Sequence, residues 1–197
     1  MRLVLLGAPG SGKGTQAAML KAELGVPHIS TGDLLRAAVK AGTPLGLKAR
    51  AVMECGQLVS DDIVLGMLES RLAEADVGGG FILDGYPRNL AQCEALETLL
   101  ARIDQPLDVA VKIKVPSDSI VERLAGRAAA EGRTDDTPET VRERLRVYAE
   151  QTAPVAKHFA GLGKLVIVDG LGDVDSVFRR IVAALAANSA GMNRLRA

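Results

Sequence analysis

At 197 residues the chain has room for one sizeable core, or for one core carrying small inserts. Its 24 Lys and Arg balance 24 Asp and Glu, so no whole-molecule field gathers nucleic acid or acidic lipid. Aromatic residues make up 3% of the chain and Trp is absent, which argues against the stacking platforms of single-strand nucleic-acid binders.

The chain opens on an apolar run at residues 3–6, Leu-Val-Leu-Leu, as expected of a parallel strand covered on both faces. It leads into Gly-Ala-Pro-Gly-Ser-Gly-Lys-Gly-Thr at residues 7–15. Gly7, Gly10, Gly12 and Gly14 let the turn bring backbone N–H groups onto an anion, and Lys13 adds a positive charge where a helix begins. The match to G-x-x-x-x-G-K-[ST] is complete except that Gly14 takes the hydroxyl position and Thr15 follows it. A nucleoside polyphosphate is the ligand this pattern fits.

Further strands are expected at residues 27–29, 80–84, 109–114 and 165–168. Residues 30–59 hold two helical patterns without a strand, broken by Gly42, Pro44, Gly46 and Gly56. Residues 61–75 read as a helix capped by Ser60, with Ile63, Met67 and Arg71 at four-residue steps. Another helix begins near Ser117, and residues 126–136 are small, polar and poor in core-forming side chains. Thr137, Pro138 and Glu139 mark a further helix start, with Val141, Leu145 and Tyr148 behind it and Pro154 expected to kink or end it. A last helix over residues 174–187 carries Val177, Ile181 and Leu185, and the final eight or so residues read as a frayed tail. Such alternation implies an α/β fold, a five-stranded parallel sheet flanked by helices, with ligands outside the carboxyl ends of the strands. Residues 30–59 and 126–136 read either as ordinary surface connections or as mobile flaps hinged on that sheet, devices that phosphoryl-transfer chemistry often needs to exclude water.

No signal-peptide pattern is present, because the first apolar stretch is four residues long, and no stretch approaches a membrane span. Cys55 and Cys93 stand alone without C-x-x-C spacing, which suits a reducing cytoplasm better than a zinc site.

The residues that carry chemistry are mostly cations. Asp84 ends a hydrophobic strand, the usual partner of a glycine phosphate loop, and belongs near the metal that bridges the phosphates. Arg88 follows Gly85 and Pro87, which shape a tight exit able to aim it over the strand ends. Arg123 and Arg127, four apart on one helix face, lead into Arg133, with Arg142 and Arg144 beyond. As a set they read as an anion clamp, since the guanidinium fork binds phosphate bidentately and keeps its charge. His28 and His158 are isolated and no nucleophile has a base beside it, as befits a reaction that needs positioning and charge neutralisation more than proton shuttling.

Four motifs in order, residues 7–15, 30–36 (Ser-Thr-Gly-Asp-Leu-Leu-Arg), 84–88 (Asp-Gly-Tyr-Pro-Arg) and 132–136 (Gly-Arg-Thr-Asp-Asp), resemble the adenylate kinase family across nearly the whole chain. The resemblance implies a P-loop kinase domain: a core of residues 1–29, 60–121 and 137–197, a helical AMP-binding insert at 30–59 and a short mobile lid at 122–136. It implies transfer of a phosphoryl group from ATP to AMP to give two ADP. Mg²⁺ would enter as MgATP, held through water and phosphate oxygens with Asp84 in its outer shell. Gly10, Ser11, Gly12, Lys13, Gly14 and Thr15 would hold the donor phosphates. Arg123 and Arg127 would cover ATP, and the backbone of Gly172 would touch its adenine. Thr31, Arg36, Gln57, Leu58, Val59, Gly85, Tyr86, Pro87, Arg88 and Gln92 match the AMP pocket. Arg133 and Arg144 would reach across to the transferring and AMP phosphates, completing a catalytic set of Lys13, Arg88, Arg127, Arg133 and Arg144. Asp135 and Asp136 would position those arginines.

UMP/CMP kinases resemble this pattern closely, but usually place Ala at the position of Thr31 and Asn at that of Gln92. A threonine hydroxyl and a longer amide suit an adenine edge, which favours AMP as acceptor. Only residues 128–132 separate Arg127 from Arg133, too few for a zinc-binding hairpin, so the short-lid form implies no structural metal and is commonly monomeric. A nucleotide-binding module without transfer is the other alternative; it lacks an N-K-x-D motif and has little use for the arginine set.

Overall fold

The structure, a computed structural model, describes residues 1–131 and 137–196, with only the backbone described at residues 121, 125, 127–131 and 189–196. Five parallel strands, β1 (Arg2–Leu6), β2 (His28–Ser30), β3 (Phe81–Asp84), β4 (Val109–Lys114) and β5 (Leu165–Asp169), form one sheet in the order β2-β3-β1-β4-β5. Each lies within a residue or two of its expected position.

Alternate side chains of β1 feed two cores. Leu3 and Leu5 join α1 (Lys13–Leu24) and α9 (Val174–Arg196) through Leu20, Ile181 and Leu185. Val4 and Leu6 join the opposite core, to which α4 (Asp61–Leu72), α5 (Leu90–Arg102) and α8 (Ala153–Gly161) contribute Leu68, Leu96 and Phe159. A period-two strand buried on both faces therefore separates two helical layers. The chain leaves β1 toward α1 on one face and leaves β3 toward α5 on the other, so a crevice opens between their carboxyl ends. The register pairs Leu5 with Asp84 and Ser30 with Asp84, setting that carboxylate at the crevice.

The segment after β2 forms α2 (Thr31–Lys40) and α3 (Pro44–Glu54), with α3 packed chiefly on α2. Ser30 caps α2 by accepting from the Asp33 N–H, and Thr43 caps α3, with Pro44 in its first turn. After β4, α6 (Ser117–Glu131) carries the chain across the strand ends and α7 (Pro138–Val147) returns it. Thr137 caps α7 by accepting from the Thr140 N–H, as its sequence predicts.

Three local expectations needed correction, and one is narrowed. Ser60 precedes α4 but makes no capping hydrogen bond; it bonds the Asp62 carboxyl instead, which holds that carboxyl below its ordinary value. The buried stripe of α4 is Val64, Leu68 and Leu72, one position on from Ile63, Met67 and Arg71. Of the two outcomes expected at Pro154, a kink or an end, the helix does not end there: a π turn over Tyr148–Thr152 widens the backbone just before α8, relieving the clash the proline ring would make with the preceding turn. The tail is helical, since α9 runs to Arg196.

Candidate active site

A cleft of about 810 Å³ lies over the carboxyl ends of the strands. The loop between β1 and α1 forms its floor, with Gly10, Ser11, Gly12, Lys13, Gly14 and Thr15 all lining it. Gly12 precedes α1 in the left-handed region (φ 92°) and, having no side chain, leaves the helix N-terminus without a side-chain cap. The first N–H groups of α1 are thus directed at the cleft with the positive end of the helix dipole behind them. The Ser11 hydroxyl is buried and has no hydrogen-bond partner among the described residues. Lys13 Nζ donates to the carbonyls of Gly7 (2.9 Å) and Ala8 (3.1 Å), which holds its charge over the loop.

Asp84 is 8% exposed and borders the same cleft. His28 Nε2 stands 3.5 Å from its Oδ2, a contact made by parallel strands that the sequence could not place together. Burial pushes the Asp84 carboxyl up, yet the His28 imidazole and the charges of Lys13 and Arg88 outweigh it and hold the group below its ordinary value. It is ionised at neutral pH.

Two smaller cavities continue from the cleft. The first, about 120 Å³, is bordered by Lys13, Pro87, Arg88, Arg144 and Thr152. The second, about 50 Å³, shares Gly85, Arg88 and Arg144 with it and adds Thr31, Gln57, Leu58, Val59 and Gln92. Lys13 therefore stands between cleft and middle cavity, and Arg88 with Arg144 between the middle cavity and the innermost one.

Arg88 is fixed by its neighbours. Its Nε donates to the Gly85 carbonyl (2.7 Å), its own carbonyl accepts from the Thr152 hydroxyl (2.7 Å), and its N–H donates to Gln92 Oε1 (2.7 Å). Burial lowers the affinity of its guanidinium for the proton, Asp84 restores part of it, and Arg144 and Arg36 oppose it with like charge. Three guanidinium groups thus share one locality, an arrangement that suits an anion. Arg36 borders the large cleft rather than the innermost cavity and bonds Asp33 at 2.5 Å. Thr31 donates its hydroxyl proton to the Gly85 carbonyl (2.9 Å), leaving lone pairs to accept from a ligand.

The remaining expected residues divide. Arg123 spans from α6 to donate to the Gly170 carbonyl (3.0 Å), closing the cleft beside Gly172, which lines it with φ 104°. Tyr86 is 1% exposed and belongs to the core with Leu83 and Leu96, so its side chain builds the turn, and burial raises its phenol above the ordinary value. The Gln57 amide donates to Glu143 of α7, which is itself paired with Arg146. The Arg127 side chain lies outside the described residues, as do Arg133, Asp135 and Asp136. Among the described residues no group of three or more His, Cys, Asp and Glu is placed to hold a metal ion, and no helix is long and apolar enough to cross a membrane.

Thr152, His28 and Asp61 were missed from sequence. Only Asp61 had a readable neighbour: Asn-Leu-Ala-Gln at residues 89–92 has the spacing of a capping box, and Asn89 caps α5 by accepting from the Gln92 N–H.

Comparison with known proteins gives the family. The family model described as "Adenylate kinase" matches residues 5–164. An adenylate kinase of Xanthomonas campestris pv. campestris (strain 8004) is 64% identical over 185 residues, covering 94% of this chain and 99% of that protein. One from Stenotrophomonas maltophilia (strain K279a) is 62% identical over 187 residues, covering 95% and 100% respectively.

Proposed function

This chain belongs to the adenylate kinase family, and on that premise we propose that it moves the terminal phosphoryl group of ATP to AMP, reversibly, giving two ADP. The observation that carries this reading is the run of three cavities with a cation at each junction. The large cleft takes the donor: its floor of backbone N–H groups and Lys13 suits a triphosphate. The innermost cavity, with Thr31 and Gln92, takes the acceptor base. The middle cavity lies where the phosphoryl group would pass, between Lys13 and the Arg88–Arg144 pair.

Phosphoryl transfer asks the protein mainly for alignment and charge stabilisation. Lys13 and the uncapped α1 N-terminus follow the charge on the donor phosphates. Arg88 and Arg144 neutralise the acceptor phosphate, so that its oxygen can approach the donor. Arg36 adds to the same field, and Arg127 and Arg133 complete it in the family's pattern. The backbone of Gly172 and the Arg123 side chain cover the donor base. Asp84, ionised and facing the cleft with no side chain on Gly14 to screen it, fits an outer-shell position toward Mg²⁺. Bound with ATP, that ion would neutralise phosphate charge.

Residues 30–59 and 122–136 are the parts that would close over the two nucleotides, around a core of 1–29, 60–121 and 137–197. Action as a monomer in the cytoplasm belongs to the same reading; both cysteines are free thiols, as a reducing compartment favours. A coupled ADP-formation assay with MgATP and AMP, UMP, CMP or GMP tests the proposal. Rapid turnover with AMP alone is expected. Preference for UMP or CMP would overturn the acceptor assignment, and silence with all four would overturn transfer itself.

A further inference from the structure

The Gln92 side chain is 2% exposed and borders the innermost cavity, yet both ends of its amide are already engaged by protein. Its Oε1 accepts from the Arg88 N–H at 2.7 Å, and its Nε2 donates to Asp61 Oδ1 at 2.7 Å. Asp61, the first residue of α4, also accepts from Asn89 Nδ2 at 3.1 Å through each of its oxygens. The N-termini of α4 and α5 are thus joined by one carboxylate receiving three hydrogen bonds.

The polarity of these partners matters more than their number. A carboxylate only accepts and a backbone N–H only donates. A flipped Gln92 amide would set oxygen against oxygen at Asp61 and N–H against N–H at Arg88, leaving buried groups unsatisfied on both sides. The amide therefore has one permitted orientation. One N–H and one lone pair remain for the cavity, the N–H on the Asp61 side and the lone pair on the Arg88 side. A 6-aminopurine presents an amino donor beside the N1 acceptor and meets that pair. A 6-oxopurine presents an acceptor beside an N1–H donor and opposes it.

We infer that Asp61 is a positioning residue for acceptor specificity: by locking the Gln92 amide it makes the innermost cavity select a 6-aminopurine over a 6-oxopurine nucleoside monophosphate. Asp61 acts through Gln92 and does not touch the base. This rests on the proposed acceptor site, and the test separates the two.

Steady-state rates with MgATP and either AMP or IMP would be measured for the wild type, Asp61→Ala, Gln92→Ala and the double variant. Asp61→Ala is expected to raise the KM for AMP about tenfold, keep kcat within about twofold, and lower the AMP/IMP ratio of kcat/KM about tenfold. In the Gln92→Ala background the same change should move the ratio by less than about twofold, because the residue it positions is gone. If Asp61→Ala melts out, Asp61→Asn, which keeps the shape but gives up the charge, replaces it in the cycle and should lower the ratio in the same direction. An unchanged ratio in the Asp61 variant, alongside a collapsed ratio in Gln92→Ala, would overturn the role of Asp61 and leave the acceptor site standing. A full ratio in Gln92→Ala would overturn both. Independent, additive effects of the two substitutions would show that Asp61 acts by another route.

Discussion

With donor and acceptor placed as proposed, the two ends of this site are built from different materials. The donor end is mostly main chain: a glycine loop, an uncapped helix and one lysine, supplied by a continuous stretch of sequence. The acceptor end is mostly side chain: Thr31, the pair Arg88 and Gln92, and Arg144 come from three separate parts of the chain, and other side chains and carbonyls hold several of them. A phosphate is the same in every nucleotide, so fixed backbone dipoles suffice to hold it. A base must be told from its relatives, and only side chains of chosen polarity can do that.

The difference can be tested by damaging each end in kind. The largest effect belongs to charge at the junction of the two. Arg88→Ala should lower kcat by about 10³ or more while the fold stays intact, since it removes charge from the middle cavity. A kcat near the wild-type value in a folded variant would take Arg88 out of the catalytic set.

The next effect concerns the acceptor end alone. Thr31→Ala should raise the KM for AMP about tenfold and leave the KM for ATP unchanged, because it removes one acceptor from the innermost cavity. Equal changes in both KM values would mean that the cavity does not act separately from the cleft.

A smaller effect is expected at the donor end. Gly12→Ala meets no neighbouring atom within 4 Å, so its cost is the strain of a side chain at φ 92°. Stability should drop by about 1–2 kcal/mol, with a raised KM for ATP and an unchanged KM for AMP. Thermal melts and the two KM values read this out together. No change in either would show that the left-handed turn is not needed.

The smallest effect concerns Asp84, which borders the donor cleft and is sensed by cations from both ends. Its folded pKa is depressed, so its ionised form adds stability that is fully present above the unfolded value of about 3.9 and is lost as pH falls through the lower folded value. The stability gap between wild type and Asp84→Asn should therefore hold from neutral pH to about 4 and narrow below it. A gap that widens in acid would reverse the sign assigned to the carboxylate.

The same contrast explains what could be read before the structure. The strands and the phosphate loop were legible because continuous apolar runs and glycine spacing are local properties, and the loop chemistry lies in consecutive residues. Thr137 and Pro138 announced their helix for the same reason. The stripe of α4 was misplaced by one position because Ile63 and Met67 of the neighbouring row are apolar too and pack partly buried against the same core, and only packing against the sheet decides between the rows. The π turn before Pro154 was hidden because a proline can be met by a break or by a widened turn. At the acceptor end, family resemblance supplied Thr31, Gln92 and Arg88, but not their supports. Asp61 and Thr152 hold them from 31 and 64 residues away in sequence, a relation that no spacing rule encodes. His28 reaches Asp84 through strand register in the same manner.

The central claim, that one chain holds two nucleotides end to end across Lys13 and Arg88, is tested most directly with a linked ligand. Two adenosines joined through their 5′ positions by a flexible oligophosphate should bind by calorimetry with one ligand per chain. The same compound should compete with ATP and with AMP alike in the kinetic assay. Competition with ATP alone, or two ligands per chain, would contradict the account.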